Sequence, residues 1–162
     1  MVKFDKAIEL EKKASPYFDS AYRKIWRVET ITVVRNTPKG REEIDKILTL
    51  EDGSQITIEE KVRDKKYANN DIVIEEQSNI EKDTPGWIYY SKADYLAYSW
   101  LQNGLTKILL FDMEKLREWY LKNKDKYNIV TTDTDNMYHT SFRIIPLEDI
   151  DFPFQVIEFG ED

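Results

Sequence analysis

The feature that most constrains this fold is a regular alternation of apolar and polar residues between positions 43 and 63, EIDKILTLEDGSQITIEEKVR. Successive side chains of a β-strand point to opposite faces, so the alternation predicts two strands that each bury one face. The odd-numbered positions are polar, with Ile47 as the exception. The apolar even-numbered positions are Ile44, Leu48, Leu50, Ile56, Ile58 and Val62.

A hairpin loop decides which residues of the two strands oppose each other. Apolar residues pair with apolar residues only if the numbers of two paired residues add to an even total. A three-residue loop, Glu51-Asp52-Gly53, gives this register with Gly53 in left-handed backbone, whereas a two-residue Asp52-Gly53 loop would set apolar against polar side chains. The three-residue loop predicts that Asp45 lies directly opposite Glu59 and shares a face with Lys61.

The other elements follow from capping residues and apolar runs. Ser15 and Pro16 predict an N-cap and a first helical position, and therefore two N-terminal helices. Ser91 predicts the start of a further helix that ends at Gly104 and places Tyr95 and Tyr98 in the core. Further patterns predict strands at 28–34, 71–77, 106–112 and 138–146 and a helix at 113–126. This order predicts an α/β (α+β) fold with a mixed central β-sheet flanked by helices, in a single domain of residues 1–162.

Composition excludes several classes of protein. The chain has no cysteine and one histidine, which rules out a disulfide scaffold, a cysteine nucleophile and a multi-histidine metal site. No apolar run approaches the roughly 20 residues that span a bilayer, so we expect no membrane partner. The charged beginning, MVKFDKAIELEKK, does not read as a signal peptide, and together with the absence of cysteine it favours the cytoplasm.

Two carboxylates and an amine meet on the predicted polar face. Asp45 and Glu59 offer the oxygen ligands that Mg²⁺ or Mn²⁺ prefers, and Lys61 could orient water or stabilise developing charge. The spacing of Glu59 and Lys61 is also common by chance in a chain rich in Glu and Lys. The alternative is a surface ion pair that contributes about 0 to 1 kcal/mol.

This arrangement resembles the PD-(D/E)XK nuclease superfamily, which is restriction-endonuclease-like in fold. Asp45 matches the first acidic residue of the motif, with Ile44 in place of its proline, and IEEK supplies Glu59 and Lys61. The stretch from 43 to 98 also resembles small nuclease-like proteins of phages and mobile elements, with a further acid at Glu75 and the segment SKADYLAY. The resemblance implies a metal-dependent DNA endonuclease that hydrolyses phosphodiester bonds.

The resemblance also implies roles for individual residues. Asp45 and Glu59 would hold Mg²⁺ or Mn²⁺, and Lys61 and Glu75 would complete the catalytic set. This superfamily sometimes adds an acid from the N-terminal helix, and the spacing does not choose among Glu9, Glu11 and Asp19. The alternative interpretation of Glu75 is a solvent-exposed charge at the end of its strand.

The charge distribution bears on the DNA partner. A net charge of −7 argues against binding by bulk electrostatics, so local basic residues would have to contact phosphate. Lys46, Arg63, Lys65 and Lys66 are the predicted nucleic-acid-binding residues, and a solvated surface is their alternative interpretation. Duplex cleavage by one site per chain commonly calls for a homodimer. The second functional hypothesis is a non-catalytic module on a nuclease-like scaffold that binds DNA or a protein partner.

Overall fold

A computed structural model of the protein describes most of the chain. The described residues are 3–35, 37, 40, 42–64, 70–102, 105–133 and 139–159. No helix within these ranges is long and apolar enough to cross a membrane.

The alternating stretch forms the predicted hairpin. Strands β2 (Lys46–Leu50) and β3 (Gln55–Asp64) pair antiparallel, and every pair has an even total of residue numbers. Across the turn, the Leu50 N–H donates to the Ser54 carbonyl at 2.9 Å, which leaves a three-residue loop. Gly53 closes this loop with a φ of 87°, a conformation that glycine adopts without steric cost. The predicted loop and the register through β2 are therefore confirmed.

The hairpin lies inside a six-stranded mixed sheet of order β1-β2-β3-β6-β7-β10. Only β3 and β6 are parallel, and the other neighbours are antiparallel. The remaining strands of this sheet are β1 (Val28–Val33), β6 (Tyr95–Gln102), β7 (Leu105–Asp112) and β10 (Gln155–Phe159). Because parallel neighbours need a crossover connection, the chain between β3 and β6 leaves the sheet and returns to it.

That crossover carries the first part of a second, four-stranded sheet, of order β5-β4-β9-β8. Its strands are β4 (Asp71–Asn79), β5 (Thr84–Pro85), β8 (Val130–Asp133) and β9 (His139–Pro146). The helices are α1 (Lys3–Ile25), α2 (Trp87–Tyr90) and α3 (Met113–Asn123). The predicted α/β class, with a mixed sheet covered by helices, is confirmed, whereas the sequence patterns did not reveal the second sheet.

Two apolar clusters hold these layers together. On one face of the six-stranded sheet, Phe18 and Tyr22 of α1 pack with Leu48 and Ile58 of the hairpin. On the other face, the second sheet, α2 and α3 bury a larger cluster whose members include Ile72, Ile74, Trp87, Leu96, Trp100, Phe111 and Trp119. The six-stranded sheet is therefore covered on both faces, and polar groups on its central strands are removed from water.

Two predictions about helices are wrong. The N-terminal region is one helix that continues through Pro16, because Ala14 and Phe18 on either side of the proline are both buried against the sheet. The segment after Ser91 is strand β6 rather than a helix. Its aromatic residues favour strands, and its alternate side chains enter the two opposite clusters, so burial on both faces imitates a helical pattern.

Candidate functional site

The E-x-K residues of β3 lie on the face that turns away from α1. The Lys61 Nζ lies 3.2 Å from Glu59 Oε1 and 5.7 Å from the centre of the Trp87 ring of α2. The ammonium therefore interacts with both a carboxylate and an aromatic face. Its side chain is 36% exposed as a whole, although burial disfavours the charged form of the ammonium.

Glu59 is the most unusual residue of this site. Its side chain is only 1% exposed, and neither carboxylate oxygen accepts a hydrogen bond of normal geometry in the described part of the chain, although Lys61 forms an ion pair with it. The Ser91 hydroxyl lies close enough to favour the charged form of Glu59, although its hydrogen bond of normal geometry is to the Glu43 carbonyl, at 3.2 Å. Burial raises the pKa of Glu59 to about 8, despite the opposing charge of Lys61 and with a further increase from Glu43.

Glu75 lies on the neighbouring β4 and acts on the same lysine. Burial raises the pKa of Glu75, the charge of Lys61 opposes that increase, and the charge of Glu43 adds to it. The strand continues beyond Glu75 to Asn79, so this acid is not a strand-end residue. Burial disfavours the charged form of Lys61, but Glu59, Glu43 and Glu75 outweigh that effect and raise its pKa.

Gly86 fixes the distance between β4 and α2. A Cβ atom at this position would lie 1.8 Å from the Glu75 carbonyl oxygen, so no other residue fits without a backbone shift. The Gly86 N–H donates to the Glu76 carbonyl at 2.9 Å. This close approach places Trp87 and the end of α2 beside the β3 site.

Glu43 belongs to the site although the sequence analysis did not select it. It precedes β2, has a φ of 57°, and accepts a 2.8 Å hydrogen bond at Oε1 from the Tyr90 hydroxyl. A positive φ is uncommon for a residue other than glycine. The available sequence signal was its position as the first polar, odd-numbered residue of the alternating stretch.

The structure does not bring Asp45 to Glu59. The Asp45 N–H donates to the Ile58 carbonyl at 2.8 Å, although Ile58 is already paired with Lys46. Two consecutive residues therefore oppose one, as in a β-bulge, and the alternation is interrupted. Consistent with this, Ile44 packs in the cluster under the second sheet, whereas Leu48 packs with α1.

The carboxylate of Asp45 is engaged on the α1 side. Its Oδ2 accepts a 2.6 Å hydrogen bond from the Glu60 N–H, and its Oδ1 lies 4.0 Å from Arg35 Nε. Its charge is among those that raise the pKa of Tyr22, after burial and the effect of Glu60. The expectation that Asp45 and Glu59 share one face is therefore wrong in this structure, because the bulge turns Asp45 to the other side.

Lys46 is fully buried and cannot face phosphate as predicted. Its Nζ lies 2.7 Å from Asp19 Oδ1, 2.9 Å from Glu60 Oε2 and 2.9 Å from Ser15 Oγ. Glu60 also accepts a 2.6 Å hydrogen bond from the Tyr22 hydroxyl. These partners satisfy the buried ammonium, so Lys46 joins α1 to the sheet.

Of the other predicted nucleic-acid-binding residues, one is paired with an acid and two lie outside the described residues. Arg63 forms an ion pair with Asp71 at 3.0 Å and is mostly buried. Lys65 and Lys66 lie outside the described residues. Glu9 is an exposed residue of α1, and Glu11 pairs with Arg35 at 3.5 Å, so α1 brings neither to the Glu59 site.

The donor chemistry of this site fits a divalent ion. The buried oxygens of Glu59 accept no hydrogen bond of normal geometry among the described residues, and Glu43 and Glu75 act electrostatically on Lys61 beside it. Within the described ranges, no group of three or more Asp, Glu or His residues is arranged to hold a metal ion. Two carboxylates together with water and substrate oxygens suffice for Mg²⁺. No protein-family model, curated protein or solved structure matches the chain.

Proposed function

We propose that the protein is a Mg²⁺- or Mn²⁺-dependent DNA endonuclease of the PD-(D/E)XK type, which hydrolyses phosphodiester bonds. The observation that carries this proposal is the buried Glu59 carboxylate, whose oxygens accept no hydrogen bond of normal geometry from the described residues although Lys61 lies 3.2 Å from Oε1. A buried acceptor without a partner is costly unless another group satisfies it. A divalent cation would satisfy it, since Mg²⁺ is usually bound through one or two carboxylates together with water and substrate oxygens.

Lys61 and Glu75 would divide the work with the metal that Glu59 helps to hold. Lys61, which lies beside Glu59 and Trp87, would contact a phosphoryl oxygen and stabilise charge that develops there. Glu75 acts on Lys61 from the second sheet and helps to keep the ammonium protonated. When bound, a divalent ion supplies Lewis-acid polarisation of the phosphoryl oxygen and a more acidic water.

The substrate and the setting are part of the same proposal. DNA would approach the exposed side of Lys61, and Lys65 and Lys66, which follow β3 in the sequence, remain the predicted phosphate contacts. We expect a homodimer for cleavage of both strands of a duplex. The resemblance to phage and mobile-element proteins favours the cytoplasm of a bacterial or phage-infected cell.

Cleavage assays test this proposal directly. Purified protein is incubated with plasmid, single-stranded and branched DNA in Mg²⁺, Mn²⁺ or EDTA. We expect metal-dependent cleavage that Lys61→Ala and Glu59→Gln abolish, and that the control Glu51→Gln in the exposed hairpin loop leaves unchanged. Cleavage that survives both site variants would refute the assignment of the site.

One observation favours a second function, that of a non-catalytic module which binds DNA or a protein. The acid that matches the first position of the nuclease motif, Asp45, is held by the Glu60 N–H on the α1 side. A scaffold that has given up catalysis has no need of this acid at the metal. DNA binding in Ca²⁺ without cleavage of any substrate in Mg²⁺ or Mn²⁺ would select this function.

A further inference from the structure

Helix α2 is a single turn that presents three contacts to the candidate site. Trp87 lies against Lys61, with 5.7 Å between the ammonium nitrogen and the centre of the ring. At the other end of the turn, the Tyr90 hydroxyl donates to Glu43 Oε1 at 2.8 Å, and the Ser91 hydroxyl donates to the Glu43 carbonyl at 3.2 Å. Residues three and four positions apart share one side of a helix, so a movement of this turn would move all three contacts together.

The turn has little stability of its own. It comprises the four residues Trp87–Tyr90, and its N-cap is Gly86, which has no side chain to form a capping hydrogen bond. Forming one helical turn is unfavourable in an isolated chain, because several residues become ordered for a single hydrogen bond. The position of α2 must therefore be set by residues that contact it from other elements.

Arg117 of α3 holds the end of α2 through its main chain. The Arg117 Nε donates to the Ile88 carbonyl at 2.6 Å, and its Nη2 donates to the Ser91 carbonyl. The last carbonyls of a helix have no partner within the helix, so a donor from outside satisfies them. The planar guanidinium fixes two carbonyls at once, which the single ammonium of a lysine does not reproduce.

Glu76 of β4 contacts α2 from a second direction. It is the extra residue of a β-bulge, since its two neighbours pair with consecutive residues of β9. Its Oε1 accepts a hydrogen bond from the Tyr89 hydroxyl, and its carbonyl accepts the Gly86 N–H at 2.9 Å. Its Oε2 accepts from the Tyr120 hydroxyl and lies 2.7 Å from Arg143 Nη1. The carboxylate is therefore anchored to α3 and β9 while it holds α2.

We infer that Arg117 and Glu76 are positioning residues of the proposed nuclease site, which act through α2 on Lys61 and Glu43. This inference rests on the proposed function and goes beyond it, because it makes the site depend on two residues outside the nuclease motif. One side of α2 contacts the site, and its end and its remaining tyrosine are held by Arg117 and Glu76. Loss of either hold should displace Trp87 from Lys61 without removing a group that would contact DNA.

The experiment removes one hold at a time and measures turnover and DNA affinity separately. Arg117→Met keeps the length of the side chain without its donors, and Tyr89→Phe removes the hydroxyl that Glu76 accepts. We expect each variant to lower kcat about tenfold to a hundredfold and to change the Kd for DNA in Ca²⁺ less than about twofold, because a displacement of about 1 Å near reacting groups has an effect of that size. Arg117→Lys, which can donate to one carbonyl, should recover part of the lost kcat.

Matched controls lose similar groups away from α2. Tyr127→Phe removes a phenol that donates to the carboxylate of Asp149 at 2.7 Å, and Lys122→Met removes a cation from the exposed side of α3. Both controls should keep the wild-type kcat. Melting temperatures verify that every variant is folded at the temperature of the assay.

The indole N–H resonance of Trp87 reports the position of α2 in the absence of DNA. It is assigned in a ¹H–¹⁵N spectrum by its disappearance in Trp87→Phe, and it should shift in Arg117→Met and Tyr89→Phe but in neither control. An unshifted resonance, wild-type kcat in both folded variants, or a loss of DNA affinity equal to the loss of kcat would overturn the inference. Wild-type protein that cleaves no DNA would refute the proposed function, and the resonance would then still decide whether Arg117 and Glu76 position α2.

Discussion

Replacing Glu59 with glutamine tests the electrostatics of the site while keeping the shape of the side chain. The pKa of Glu59 rises from an ordinary value of 4.5 to about 8 on folding, with burial as the main cause. At about 1.4 kcal/mol per pH unit, this rise corresponds to roughly 5 kcal/mol of destabilisation once the pH exceeds 8. The folded state therefore binds a proton that the unfolded state releases.

The sign of the pH dependence follows from that proton. The contribution of Glu59 to stability is greatest below about pH 4.5 and is lost as the pH rises toward 8, because the folded carboxyl must then ionise in a buried site. Glutamine cannot ionise, so the variant should lack this loss. A buried amide without partners costs about 1–3 kcal/mol, which offsets part of the gain. We expect Glu59→Gln to be more stable than the wild type by about 2 kcal/mol at pH 8.

Urea denaturation in EDTA at pH 5 and pH 8 measures the difference, with the exposed Glu51→Gln as the control. The informative quantity is the change in unfolding free energy between the two pH values, because the packing of glutamine affects both alike. Wild-type protein should lose several kcal/mol more than Glu59→Gln over this interval. A variant that is less stable at pH 8, or that has the wild-type pH dependence, would show instead that the ion pair with Lys61 stabilises the fold.

Three further perturbations test the surrounding structure. Gly86→Ala should destabilise the protein by about 1–3 kcal/mol in urea denaturation, because its Cβ would overlap the Glu75 carbonyl. Lys46→Met should cost about 3 kcal/mol in the same assay, since it removes the cation that Asp19 and the buried Glu60 share and leaves Glu60 with Arg35 alone, and a loss below about 1 kcal/mol would contradict this role. Combined Lys65→Ala and Lys66→Ala should lower the salt slope of DNA binding, measured by anisotropy in Ca²⁺, by about two. The same change at the two lysines of α3 should leave that slope unaltered.

The hairpin could be predicted from the sequence because its determinants are local. The period-two alternation and the single glycine at position 53 specify loop length and register without reference to the rest of the chain. Strand β6 could not be predicted in this way. Its burial on both faces removes the alternation, and its parallel partner β3 lies far away in sequence.

The candidate site was predictable only in part, because a β-bulge depends on hydrogen bonds that residue counting does not reveal. Glu59 and Lys61 lie together as the spacing indicated, but the bulge turns Asp45 away, and Glu43 is an acid whose charge acts on both. A period-two alternation makes no allowance for the extra residue that a β-bulge inserts. The register of the strand therefore cannot be extended from β2 to the acids that precede it.

Two charged residues in the sequence did indicate how this part of the hairpin is arranged. Lys46 and Glu60 interrupt the apolar even-numbered face of the hairpin, and a buried charge there costs several kcal/mol or so unless it is paired. They pair with each other at 2.9 Å, and Asp19 of α1 completes the group. The bulge places Asp45 where its carboxylate can accept the Glu60 N–H. The hairpin thus separates two charged clusters, one that joins α1 to the sheet and one around Glu59, whose buried oxygens accept no hydrogen bond of normal geometry among the described residues.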